Sequence, residues 1–329
     1  MNFDITSVFS ESNYTTEKNT DLETKLTVGE QTDNYIQRTY QWNYAARQWT
    51  WTINIHEDHY NYFKNLKRPM TDDYSIYVTN EFDDAYIESL VSKFKSDTKK
   101  YGFTERETVD FIVAFVQSLK YVLDDVSTGY DEYPKYPLET LVDQQGDCED
   151  TSILLASLLR EMGYGVVLIM FPDHMGVGVK GSPDMPGHYF EYEGSRYYYV
   201  ETTGSGWGIG NLPDEYRGQK AKILPLISRP VITHSWKSQG TPQGYKVTVT
   251  LNNEGTAVAN NTKVYVAFDA GNGMVYDQAY SEPISIPPQT KQDITINLKY
   301  PKSVKTRIIV KIVVDDKLVQ QSQSDWWQT

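Results

Sequence analysis

Apolar and polar residues alternate through Tyr40-Gln41-Trp42-Asn43-Tyr44 and again through Gln48-Trp49-Thr50-Trp51-Thr52-Ile53-Asn54-Ile55, the two-residue period of half-buried strands. Two strands joined by a turn at Ala45-Ala46-Arg47 are expected, with the tryptophans packing a sheet face rather than serving as a substrate platform. Over residues 83–100 the period becomes helical. Thr104-Glu105-Arg106-Glu107 then forms a capping box opening a second helix, with Val109, Ile112, Phe115, Val116 and Leu119 on one face. Residues 124–137, rich in Asp, Gly, Pro and Tyr, cannot continue a helix and read as a loop. An apolar-faced helix follows over residues 151–162, stopped by Gly163-Tyr164-Gly165. A buried strand over 166–171, a turn at Pro172-Asp173 and a strand over 174–179 come next. A hairpin of 189–193 with 196–202, turning at Gly194-Ser195, completes the region. Helices followed by antiparallel strands indicate an α+β fold.

From about Ile223 the pattern changes. Short alternating runs, among them Tyr245-Lys246-Val247-Thr248-Val249-Thr250-Leu251 and Ile294-Thr295-Ile296-Asn297-Leu298, are separated by Gly, Pro and Asn turns at sandwich-like spacing. Three regions are therefore expected: an aromatic-rich β/α region packed on the core over 1–100, a core over 101–222, and an Ig-like β-sandwich over 223–329. The sandwich carries no titratable cluster and reads as a spacer or adhesion module.

A chain of 329 residues is long enough for two or three such cores. The net charge of −13 excludes nucleic acid as a partner, because phosphate binding needs clustered Lys and Arg. With one cysteine there is no intrachain disulfide, and no Cys/His pair recurs at zinc spacing, so neither metal nor cofactor is implied. No run approaches the roughly 20 apolar residues that span a bilayer. Asn13-Tyr14-Thr15 and Asn260-Asn261-Thr262 fit the glycosylation acceptor pattern. The expected location is extracellular or at the cell surface, with leader or anchor outside this stretch, and otherwise cytoplasmic; an envelope or surface partner would be met through the sandwich.

The lone cysteine, Cys148, lies in Gly146-Asp147-Cys148-Glu149-Asp150, directly ahead of the apolar-faced helix. First-turn amides lean positive and favour thiolate, so this position is expected to lower the sulfur's pKa. The flanking carboxylates oppose that, unless Asp147 is spent capping the helix and Asp150 on first-turn amides. A nucleophilic thiol needs a base and a group that orients the base. Of the five histidines, His56, His59 and His234 read as surface residues, leaving His174 and His188. Glu201, at the end of Tyr197-Tyr198-Tyr199-Val200-Glu201, can accept from an imidazole Nδ1 and hold its tautomer. Opposing positions around Gly194-Ser195 would set His188 across from Glu201. His174 reaches Glu201 only if its strand pairs with 196–202 from the other side.

Cysteine at a helix start, histidine on one strand and an acid on another resemble the transglutaminase-like superfamily of papain-type cysteine enzymes, nearest to a prokaryotic, largely archaeal, group of surface proteins. The stretches concerned are Tyr133-Pro134-Lys135-Tyr136-Pro137-Leu138-Glu139-Thr140-Leu141, residues 146–153, His174-Met175-Gly176-Val177-Gly178-Val179, and residues 197–203 with Trp207. The resemblance covers about residues 103–207. It implies a transglutaminase-like core with Cys148 as nucleophile, His174 as general base and Glu201 as orienting acid, with His188 the alternative base. The third member is more usually Asp, and Glu201 is one methylene longer.

The oxyanion formed on attack would be held by the Cys148 amide with a side chain from Gln144 or Gln145, and Trp207, on a glycine-rich stretch, would roof the cleft. That stretch lacks the strand and helix context of a phosphate-binding loop, and the spacing of Asp124-Asp125 and Asp131-Glu132 matches no calcium loop. The expected activity is thiol-dependent chemistry on amide bonds of a protein or peptide, by hydrolysis or by transfer to an amine, through a thioester. The alternative is a surface binding or scaffold protein whose transglutaminase-like domain does not turn over.

Overall fold

A computed structural model describes residues 34–66, 68, 71–124, 133–242 and 244–329. The acceptor pattern at Asn13 and the acidic residues Asp125, Asp131 and Glu132 lie outside these. The chain divides into two units, Asp72–Ile227 with residues up to Arg68 in one and Ser228–Thr329 in the other.

The first unit begins with β1 (Tyr35–Tyr44) and β2 (Arg47–His56), an antiparallel pair in which Trp42 lies opposite Trp49. α1 (Glu57–Asn65), α2 (Ser75–Val78), α3 (Asp84–Tyr101) and α4 (Glu105–Val116) follow. α4 opens on the expected capping box, in which Thr104 and Glu107 satisfy one another's backbone amides. The tryptophans are core residues. Trp42 meets Trp51 edge-on at 5.0 Å, and Trp49 and Trp51 each lie 4.5 Å from a phenylalanine, Phe111 of α4 and Phe94 of α3. Each such ring pair adds roughly 0.5–1.5 kcal/mol to the burial of its area. Over the described residues from 34 on, these rings of β1 and β2 make one core with α3 and α4.

After β3 (Lys120–Tyr121) come α5 (Pro137–Asp143), which starts with proline at its first position, and β4 (Gln145–Gly146), parallel to β3. α6 (Cys148–Glu161) runs through the interior, with Ile153, Leu154, Leu155, Leu158 and Leu159 fully buried. It is covered by an antiparallel sheet of β5 (Val166–Met170), β6 (Met175–Gly181), β7 (Tyr189–Tyr192), β8 (Ser195–Val200) and β9 (Lys222–Pro225), in the order β7-β8-β6-β5-β9. β9 pairs with β5. That pairing moves the boundary from the expected 222/223 to 227/228, since Leu224 is buried in this sheet.

The second unit is all β. One sheet joins β10 (Ile232–Thr241), β11 (Gly244–Asn253) and β15 (Thr290–Leu298). The other orders β13 (Met274–Tyr280), β12 (Ala259–Gly271), β16 (Ile308–Val314) and β17 (Lys317–Gln323), with β14 (Ile284–Ile286) also on β12. Inward positions of both, including Val247, Val249, Leu251, Val264, Val266, Phe268, Val310 and Ile312, share one core. This is a β-sandwich-like arrangement. Asn260 is exposed there, and its Oδ1 accepts from Ser285.

The β1–β2 turn is two residues, Ala45 and Ala46, with φ of 51° and 53°. Two positive φ values in succession define the type I′ turn that suits strand twist, and alanine adopts them at a cost. Replacing Ala45→Asn and Ala46→Gly together is expected to stabilise the unit by about 1 kcal/mol, seen as a higher urea midpoint at unchanged slope. A lower midpoint would contradict the turn geometry.

Candidate active site

Cys148 is the first residue of α6, whose cap is Asp147: the Asp147 side chain accepts from the Asp150 amide at 3.1 Å. His174 directly precedes β6 and Glu201 directly follows β8. β6 pairs with β8 on the edge opposite β7, with Val177 across from Val200. That order brings His174 and Glu201 together, with Nε2 to Oε2 at 2.9 Å, both side chains buried. The carboxylate uses Nε2 rather than the expected Nδ1. Its other oxygen accepts from the amides of Thr202 and Thr203, each at 2.9 Å, and from the Thr203 hydroxyl at 2.7 Å. Tyr199 Oη donates to Oε2 at 2.8 Å. The Tyr199 hydroxyl crosses close beneath β6 at Gly176, where a Cβ would lie 2.6 Å from it. Burial alone would raise the Glu201 carboxyl; the hydrogen bond and charge of His174, with the donors of Thr203, hold it down at about 2.

The thiol is not in the state expected of it. Cys148 is buried, and Sγ donates to Glu149 Oε2 at 2.9 Å. Burial pushes the thiol well above its ordinary range, and the Glu149 and Asp147 charges add to it. A backbone hydrogen bond from Met175 pulls the other way. Desolvation and adjacent carboxylates therefore outweigh the first-turn amides. That same Met175 contact sets the sulfur beside the residue that follows His174.

Three further groups fix the relative placement of these residues. Thr202 Oγ1 shares hydrogen bonds with Thr151 Oγ1 at 2.9 Å and Ser152 Oγ at 3.2 Å, and Ser152 also donates to the Met175 carbonyl. Gln117, at the end of α4, donates to the carbonyls of Glu201 at 2.8 Å and Trp207 at 3.0 Å. Lys135, fully buried, donates through Nζ and its backbone amide to the two oxygens of Asp150, with Asp124 at 3.9 Å. Burial opposes the Lys135 ammonium, but Asp150 and Asp124 more than restore it. Asp124, Asp147 and Asp150 gather their oxygens within 4.8 Å, and the Lys135 ammonium stands among them. Removing one partner of such a pair costs roughly 3–5 kcal/mol. These residues were not singled out as site residues. Hydroxyls at the start of an otherwise apolar helix, and a lysine between two aromatic-proline pairs, were the available signals.

Other expectations are corrected. The hairpin turns at Glu193-Gly194, one residue earlier than expected, so Tyr189 pairs with Tyr198 and His188 falls opposite Tyr199. His188 is exposed, and its backbone bonds Gly210 and Tyr199. Gln144, at φ 53°, donates its side-chain amide to the Thr39 carbonyl at 2.8 Å and is committed to β1. Gln145 is half-buried and pairs with Lys120 across β3 and β4. Trp207 lines a cleft of about 670 Å³ with Trp42, Tyr44, Asp110 and Gln117, and Cys148 is not among the residues that line it. His56 is buried rather than on the surface, its ring capping α1 through the Asp58 amide. His59 bonds Tyr86 Oη, and His234 bonds Ser322 Oγ.

No protein-family model matches the chain, and no curated protein sequence matches it significantly. Among solved structures, the CARDB domain of the PF1109 protein from Pyrococcus furiosus, solved with di-metal ions, is 23% identical over 25% of this chain and 69% of its own, at a TM-score of 0.20. A β-glucosidase, DesR, from Streptomyces venezuelae is 17% identical over 31% of this chain and 16% of its own, at 0.21. A putative β-galactosidase from Bacteroides fragilis is 11% identical over 49% and 28%, at 0.24. Similarities this slight carry no functional argument.

Because Glu201 is held below its unfolded value, its contribution to stability is complete above that value, near 4.3, and is lost as pH falls towards 2. The Glu201→Gln variant is expected to be less stable than the parent at pH 6, by up to about 3 kcal/mol, with the gap closing on acidification. Urea unfolding at pH 6, 4 and 3 measures this; a gap that stays constant with pH contradicts the depressed carboxyl.

Proposed function

We propose that the chain is a thiol-dependent enzyme acting on amide bonds, with a transglutaminase-like core and an Ig-like sandwich as spacer or surface-binding module. The observation carrying this reading is the His174–Glu201 pair, buried and bonded at 2.9 Å, at the two strand ends beside the capped start of α6. With Nε2 engaged by Glu201, Nδ1 is the nitrogen left to take the Cys148 proton. The sulfur then attacks the carbonyl carbon and the C=O pair moves onto oxygen. Helix geometry leaves the Cys148 and Glu149 amides without intrahelical acceptors, and they are the donors best placed for that oxyanion, with Gln145 the remaining side-chain candidate. Collapse of the intermediate expels the amine, protonated by the imidazolium, and leaves a thioester. Water then yields the acid, or a second amine a new amide, with His174 taking and returning the proton.

The Glu149 contact sets a condition on this chemistry. The thiol proton points at Glu149 in the resting state, so Glu149 has to turn away before His174 can take it. The same contact favours a second reading, a binding or scaffold protein in which Cys148 stays protonated and inert.

Activity on a mixed peptide library, with and without an added amine, separates the two. Cys148→Ala and His174→Ala are expected to lose at least about 10³-fold, and His188→Ala to stay within roughly twofold of the parent. Glu149→Gln, by removing a charge from the sulfur, is expected to speed iodoacetamide labelling of the native protein at pH 7 by roughly tenfold. No turnover, together with labelling of Cys148 only in denaturant for parent and Glu149→Gln alike, would establish the scaffold reading instead.

A further inference from the structure

His174 is held on its edge by Glu201, and its face is covered as well. Tyr216, the last residue of the 3₁₀ turn Asp214–Tyr216, lies against the imidazole with ring centroids 4.6 Å apart and planes within 6° of parallel. Behind it Phe171, the residue after β5, stacks on the same phenol at 4.8 Å and 27°. The turn itself is fixed by the Tyr216 amide donating to the Pro213 carbonyl at 3.1 Å, next to the buried Leu212. Tyr216 thus stacks on both Phe171 and His174, which flank the Pro172-Asp173 turn and are joined by the Phe171 amide donating to the His174 carbonyl at 2.8 Å.

We propose that Tyr216 is a positioning residue for His174: the phenol clamps the open face of the imidazole, so that Nε2 stays on Glu201 and the ring cannot swing away, and its π-face steadies the imidazolium formed when the thiol gives up its proton. The second half of this rests on the thiol-enzyme reading; the clamp does not. A carboxylate gripping one ring nitrogen leaves rotation about that contact open, and a parallel ring removes it. An aromatic face also attracts a cation that sits against it, so the protein stabilises the charge where it is created. The charged and titratable groups about the stacked His174 and Tyr216 rings are Glu201 just after β8, Tyr199 on β8, Cys148 and Glu149 from α6, Asp173 from the turn before β6, and Glu215 beside Tyr216. Those groups are the same in every variant below, so the difference between variants isolates the ring.

The test is an NMR titration of the His174 ring in the full chain, its signals assigned with His174→Gln, beside iodoacetamide labelling of Cys148. In the parent the His174 ring protons are expected upfield of the other histidines from the Tyr216 ring current, and absence of that shift would overturn the clamp without any variant having to fold. Tyr216→Phe keeps the face and is expected to titrate and label like the parent. Tyr216→Leu keeps bulk but loses the face; its His174 midpoint is expected to fall by roughly half a pH unit, with labelling at pH 7 slowed about threefold. If Tyr216→Leu leaves the midpoint and the labelling rate unchanged, Tyr216 is a packing residue and the proposal is wrong. A shifted midpoint in a protein with no turnover leaves the clamp standing and removes only the enzyme reading.

Discussion

A buried seam of hydroxyls between the start of α6 and the ends of two strands is the interaction on which the site depends. Cys148, His174 and Glu201 sit on three elements whose apolar packing specifies proximity but not register, since hydrophobic contact has no direction. Thr151, Ser152 and Thr202, with the Met175 carbonyl, supply the direction. Each bond adds only about 1 kcal/mol net, while leaving a partner unsatisfied in this interior costs about 1–3 kcal/mol. A sliding of α6 by one residue would break all of them at once. Gln117 extends the same logic outward by gripping the Glu201 carbonyl and the loop of Trp207.

Much of the architecture was legible in the chain because its signals were local. The alternation of β1 and β2, the Thr104 capping box and the alternating strands of the second unit each carry their period in a few residues. The pairing of β6 with β8 was legible only as a condition, that the His174 strand reach Glu201 from the far side; the sheet order meets it. What was missed depended on exact registration or on the interior. A hairpin turn one residue away from Gly194-Ser195 moves its whole register by two, which is enough to carry His188 from Glu201 to Tyr199. How the aromatic residues of β1 and β2 meet Phe94 and Phe111 was not legible, because those partners are distant in sequence. The direction of the Cys148 shift failed for a different reason: the helix-end effect is worth about 0.3–1 kcal/mol, whereas burial and a bonded carboxylate are larger and invisible until the side chains are placed.

The acidic start of α6 then has a consistent electrostatic account. Asp147 and Asp150 are needed to cap the helix and to hold the residues that lead into α5, yet burial pushes both upward, the Asp150 charge raises Asp147 further, and Asp124 raises Asp150. Lys135 resolves that conflict by placing its ammonium on Asp150, at the cost of burying a cation. Glu149 is the carboxylate left over. Among the described residues it pairs with no lysine, and the partner it takes is the thiol itself. The carboxylate that bonds the sulfur is therefore not one that caps the helix or holds Lys135, although the Asp147 charge adds to the effect of Glu149 on the thiol. Glu149 can turn away without disturbing Lys135, Asp150 or the helix cap. On the proposed enzyme reading, a resting thiol that is protonated and a scaffold already assembled around His174 are compatible, because freeing the sulfur asks one half-buried side chain to move and nothing behind it.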